Sequence, residues 1–383
     1  MLYKKGILLL LLLFSYNVNA DCIVVDFYSK KIKINYDKSM FVKFTLKSND
    51  GSVKKCYSMI ENTNYRILLE DIKRKKNELY LNDWLYYKLV DKVTEELLKG
   101  KSENNKQFFC WFILLKSGYD VIMSYDQPFN MYVFTEDIIL RTDEFFIKKK
   151  KYVKISTKSI SHGEFSYCNF FPNNKEIKAF DFSIIQPSFS NDSSIVIERK
   201  CKIRNVEKAY VYKVSKSLIE IMKDYPPLKS EEYFKCKLSK LVYNSLLPQL
   251  KKEIENIETK DAIRYLLSFV RLSFGYKEDK DAFGYSRPMI VEESLYYNYG
   301  DCEDKSVLFY YLVKELIDVP MLILKYPNHI NIAVKLDKPY GKPYEYNGIK
   351  YSVCEPTESG DTRDIGDVPQ YVKYPNPKVI GKF

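Results

Sequence analysis

The sequence predicts an α+β protein, on three observations. Apolar residues recur at helical three- and four-residue steps from Asn82 to Gly100, around Leu218 to Leu272 and again after Cys302. Short β-branched and aromatic runs, broken by Asn, Asp, Ser and Pro, fill most of 127–212 and much of the last third. The hydrophobic fraction is 46% over 383 residues, with 34 Tyr and 23 Phe against 13 Gly. That is enough apolar mass for a substantial core and excludes a disordered chain.

The N-terminus is organised as a signal peptide at 1–20. Lys4 and Lys5 precede the apolar run Ile7 to Phe14, and Val18-Asn19-Ala20 offers a small-residue cleavage site. The apolar run is far shorter than the roughly 20 residues a spanning helix needs. The expectation is export to the periplasm or the extracellular surface, with no transmembrane segment. Cys22 sits near the cut, but Asp21 before it argues against lipidation. The net charge of +11 would suit an anionic cell-envelope surface, although the lysines are scattered among acids. No nucleic-acid module is present. The one lysine run, Lys148 to Lys151, leads into Tyr152-Val153-Lys154-Ile155 and reads as a solvated strand edge. Eight cysteines in an exported chain allow disulfides whose pairing spacing alone does not give. None forms a CxxC pair, and no EF-hand-type run of acids occurs, so neither metal nor cofactor is expected.

Cys22 to Phe27, Lys31 to Tyr36 and Met40 to Leu46 read as strands, and Asn49-Asp50-Gly51 as a turn. Trp84, Leu85, Leu89, Val90, Val93 and Leu97 mark a helix that Gly100 ends. A second helix spans Asn105 to Lys116, and Tyr119 to Tyr125 is strand-like. Further helices are predicted over Glu231–Leu247, Leu250–Ile257 and Lys260–Leu272, the last ended by Phe274-Gly275-Tyr276. A faint repeat links Phe108–Phe134 with Leu308–Leu336, since both read helix, strand, Pro, strand. A chance match would give the same pattern. If it is a true repeat, the first copy lacks Cys and His at the key positions and is chemically inactive.

The chain has only two histidines, His162 and His329. His162, in Ser161-His162-Gly163, reads as a turn residue. Cys302 opens a helix whose Leu308, Leu312 and Leu316 stack with Val307 and Tyr311 beside them, an apolar pattern on most faces that implies burial. Asp301 is the expected N-cap, with Asp304 completing a capping box. A cysteine in that first turn meets unpaired N–H groups and the helix dipole, which favour a thiolate; Glu303 and Asp304 oppose it. His329 opens the strand His329 to Val334, and the strand Ile349 to Val353 leads to Cys354-Glu355-Pro356-Thr357. Alternation puts Glu355 with Ile349, Tyr351 and Val353, the expected core face, and Cys354 opposite. For His329, parity leaves the face open.

The segment Glu292-Glu293-Ser294-Leu295 to Gly300-Asp301-Cys302-Glu303-Asp304-Lys305-Ser306, then Val319-Pro320, His329 and Glu355-Pro356-Thr357, resembles the transglutaminase-like superfamily, a papain-like thiol fold. Within it, the chain looks most like exported transglutaminase-like proteins of Bacteroidota-type bacteria. The likeness covers 260–370 and extends more loosely over 76–260. It implies a core helix packed on an antiparallel sheet, with Cys302 as nucleophile, His329 as general base and acid, and Glu355 as ring orienter. The family usually has aspartate at that last position; Asp361 is the alternative orienter. Tyr297 and Tyr299 are the aromatic candidates for holding the oxyanion.

The implied organisation is a signal peptide at 1–20, a mixed α/β region at 21–140, a β-rich region at 141–215 and a transglutaminase-like catalytic domain at 216–383. The mixed region would hold the inactive copy, if there is one. The expected function is cleavage of amide or isopeptide bonds in a peptide or protein through a Cys302 thioester. Crosslinking acyl transfer and an inactive cell-envelope binding scaffold are the alternatives.

Overall fold

The computed structural model describes residues 21–156, 166–172, 178–357, 363–367 and 376–383. The expected signal peptide at 1–20, the turn expected at His162 and the alternative orienter Asp361 lie outside them. The fold is α+β, with helices packed on sheets that are antiparallel apart from one two-residue parallel pairing. Among the described residues, no helix is long and apolar enough to cross a membrane.

Several helices start at a side-chain cap. Asn82 accepts from Leu85 N, Ser102 from Asn105 N and Ser215 from Leu218 N. The same chemistry overturns one expected turn. Asn49 is the N-cap of a helix, Asp50–Glu61, and accepts from Ser52 N at 2.9 Å. Asn and Asp serve turns and caps alike, so sequence alone does not separate the two. The strand expected at Met40 to Leu46 is replaced by a 3-10 turn, Lys38–Met40, and a segment without regular structure. The single helix expected over Glu231–Leu247 is two short ones, Ser230–Tyr233 and Lys240–Ser245. Between them the backbone N–H of Ser239 donates to the buried Glu292 carboxylate at 2.8 Å, a bond an unbroken helix would not allow.

Two units of the chain share one connectivity. In the first, a helix (Glu103–Lys116) leads to strands Val121–Ser124, Asn130–Phe134, Glu144–Ile147 and Lys150–Lys154. The last of these inserts between the second and third. In the second unit, the central helix Cys302–Leu316 leads to Met321–Tyr326, His329–Val334, Tyr344–Tyr346 and Ile349–Cys354, in the same spatial order. A fifth strand, Lys378–Lys382, is added at the Met321–Tyr326 edge. The first unit runs past the boundary expected at 140. Lys150–Lys154 is an interior strand rather than a solvated edge, with Tyr152 and Val153 buried. Lys148 and Lys149 form its hairpin turn, at φ of 46° and 68°.

The central helix has Val307, Leu308, Phe309, Leu312 and Val313 essentially inaccessible to solvent, packed in the main core. Its neighbours are the helix Thr259–Ser273 and the strand His329–Val334. Ile330, Ile332, Val334 and Cys354 join that core. Leu322, Leu324, Tyr326, Ala333, Tyr351 and Val353 form a separate cluster on the other face of the sheet. The expected core face of Ile349–Cys354 is therefore reversed. Cys354 points to the main core, while Glu355 continues the Tyr351–Val353 face. Both faces are covered, so period-2 patterning could not rank them.

Phe309→Ala is expected to cost about 3–5 kcal/mol in urea unfolding, because a fully buried ring leaves a cavity. Val211, 54% exposed, should lose no more than about 0.5 kcal/mol on the same change to Ala. Similar losses at both positions would contradict a core centred on this helix.

Candidate active site

The site begins with the helix cap. Asp301 has extended backbone (φ −90°, ψ −163°), and its Oδ1 accepts from Glu303 N at 2.9 Å and Asp304 N at 3.3 Å. Asp304 answers with Oδ2 accepting from Asp301 N at 3.0 Å, while its Oδ1 accepts from Met289 N at 2.8 Å. The folded-back Asp304 explains Gly300: a Cβ there would meet the Asp304 Cβ at 2.9 Å, closer than packing allows.

Cys302 is thereby the first helical residue, half-buried, with its sulfur against the backbone N–H of Ile330. One turn on, Ser306 Oγ donates to Ile330 O at 2.9 Å. Both polar groups of Ile330 are thus held by the first turn of the helix, and His329 is the residue before it. His329 Nε2 and Glu355 Oε2 are 2.6 Å apart and buried, with residue exposures of 6% and 0%. Glu355 Oε1 accepts from Thr357 N at 2.9 Å, and the Glu355 carbonyl accepts from Arg271 Nε at 2.8 Å. With Nε2 on the carboxylate, a further partner of the ring would meet Nδ1.

Of the expected residues, His329 and Glu355 are joined directly and Cys302 lies at the head of the same strand. Tyr297 and Tyr299 stack on each other with ring centres 5.6 Å apart, beside Phe283. A phenol within electrostatic reach of Cys302 is Tyr276, pushed up to about 12 by partial burial first and then by Cys302 and Asp301. Its two-residue strand pairs in parallel with Tyr299–Gly300, bringing Tyr276 opposite Gly300. In sequence, Phe274-Gly275-Tyr276 signals only the end of a helix, so this residue was missed.

The electrostatics correct the expected thiolate. Burial, then Asp301 and Glu303, push the Cys302 thiol well up, and only the Ile330 N–H pulls it down. The cap adds to burial, since it sets the Asp301 carboxylate beside the sulfur while that carboxylate takes the first-turn N–H groups of Glu303 and Asp304. A sulfur so placed keeps its proton at neutral pH unless a base removes it. Asp279, Asp301 and Asp304 bring carboxylate oxygens within 4.8 Å of one another, close enough to hold a cation. Burial first and then its neighbours Asp279 and Glu303 raise Asp301 to about 7, and Asp279 and Asp304 are also raised. All three already accept backbone N–H bonds, Asp279 from Arg287 at 2.6 Å. All eight cysteines are free thiols, with no disulfide among them.

No protein-family model, curated protein or solved structure matches the chain.

Asp301→Asn keeps a capping oxygen and removes the nearest anion, so the thiolate of Cys302 becomes easier to form. The pH at which iodoacetamide alkylates Cys302 should fall by about one unit. Peptide mapping separates Cys302 from the exposed Cys22. An unchanged alkylation profile would show that Asp301 does not govern the thiol.

Proposed function

We propose that this chain is an exported thiol enzyme of transglutaminase-like type that hydrolyses an amide or isopeptide bond in a peptide or protein. The observation that carries the reading is the buried His329–Glu355 pair, 2.6 Å apart, at the strand head that receives the first turn of the Cys302 helix. Cys302 Sγ attacks the carbonyl carbon while its proton passes to His329 Nδ1. The backbone N–H of Cys302 is not among those taken by the cap, and with the Tyr276 hydroxyl it suits an oxyanion. The imidazolium returns the proton to the leaving amine, breaking the C–N bond and leaving a thioester. Water, deprotonated by His329, then releases the acid and restores the thiol. Glu355 holds the ring tautomer and compensates the imidazolium charge; a glutamate fills that role in other triads.

One observation favours a second reading, an inactive binding scaffold: burial first, and then acidic neighbours, push the Cys302 thiol well up. Turnover decides between them. Peptide or protein amides should be cleaved by the wild type and not by Cys302→Ala, and Glu355→Gln should lower kcat by about 10²–10⁴-fold. Incorporation of a labelled primary amine in place of hydrolysis would indicate acyl transfer. Folded protein that turns over neither amides nor activated esters would leave the scaffold.

A further inference from the structure

Lys305 lies one turn past the Asp301 cap of the central helix and is 2% exposed. A lysine almost never occupies such a site without a counter-charge. Among the described residues, its Nζ has one hydrogen-bond acceptor, the Thr357 carbonyl, at 3.5 Å. That distance is the outer limit of such a bond and by itself a weak reason to bury an ammonium. The same Thr357 gives its N–H to Glu355 Oε1 at 2.9 Å. Lys305, Thr357, Glu355 and His329 therefore form one buried chain, entered from the same helix that carries Cys302.

The charges around it are few. Arg271, from the helix Thr259–Ser273, holds the Glu355 main-chain carbonyl and reaches the Arg363 carbonyl at 2.8 Å. Glu355 is the carboxylate that acts on Lys305, and Arg271 the cation. Burial first, then Arg271, lower the ammonium to about 8, and Glu355 works in the opposite direction. Tyr326, whose ring centre is 6.3 Å from that of His329, lines the same end of the sheet.

We infer that Lys305 is a positioning residue for the His329–Glu355 pair, its buried ammonium holding the Thr357 main chain whose N–H fixes the Glu355 carboxylate. The inference rests on the proposed roles of that pair, but its consequence for the imidazole does not need turnover. A cation behind the carboxylate competes with a proton on the ring. Removing it makes the imidazolium easier to form, so His329 should titrate at higher pH.

The two-histidine composition makes this measurable. In a His162→Gln background His329 is the only imidazole, and its titration can be followed by nitrogen-15 NMR. Lys305→Met should move the His329 midpoint up by about one unit, and Lys305→Arg should restore it. If the Met variant does not fold, the wild type alone still reports. Its imidazole shift should show a second inflection near pH 8, where Lys305 loses its proton. A purely structural lysine would lower the unfolding midpoint but leave the His329 titration in place. An unmoved titration in folded Lys305→Met overturns the inference, as does a wild-type curve with a single inflection if that variant is unfolded. A shift seen in a protein that cleaves no amide would keep this inference and remove the hydrolase.

Discussion

The reciprocal hydrogen bonds between Asp301 and Asp304 fix where the central helix begins, and the place of Cys302 follows from that start. The helix is buried along its length, so its first turn cannot slide. Its register against the strand His329–Val334 is held by the Ser306 contact with Ile330. Gly300 is required because the capping carboxylate of Asp304 folds over it. The cap has a chemical consequence as well. It brings carboxylates beside the sulfur and occupies two of the first-turn N–H groups, which with burial keeps the thiol protonated.

The same helix–sheet connectivity occurs twice, and only one copy carries a thiol and an imidazole. Where the second unit has Asp301 and Cys302 at its helix start, the first has Ser102 and Glu103. Where the second opens a strand with His329, the first opens one with Asn130, which accepts from Ser156 Oγ at 2.9 Å. Ser102 still caps and the strands still pair, so the framework persists without the reactive groups. Chemistry here is a property of a few side chains set on a reusable scaffold.

Much of this was legible in the sequence because local rules and burial agree. Asp301 with Asp304 announces a helix start, the scarcity of histidine leaves one strong base candidate, and the order of Cys302, His329 and Glu355 follows consecutive elements. Other features depend on contacts between distant residues. The break at Ser239 exists because Glu292 takes its N–H. Tyr276 comes within electrostatic reach of the thiol through a parallel pairing of two residues that carries no periodicity. Asp279 joins the acidic group only in three dimensions. The reversed face of Ile349–Cys354 has another origin: both sides of that sheet are apolar, and alternation then carries no sign.

The central claim is that the imidazole of His329 serves the sulfur of Cys302. The most direct test is the second-order rate of Cys302 alkylation by iodoacetamide at pH 7, compared between the wild type and folded His329→Ala. The account predicts at least about a tenfold loss, since a thiol held protonated by burial and acids reacts slowly without the imidazole. Equal rates would mean that the two side chains do not act together, and the catalytic reading would fall with them.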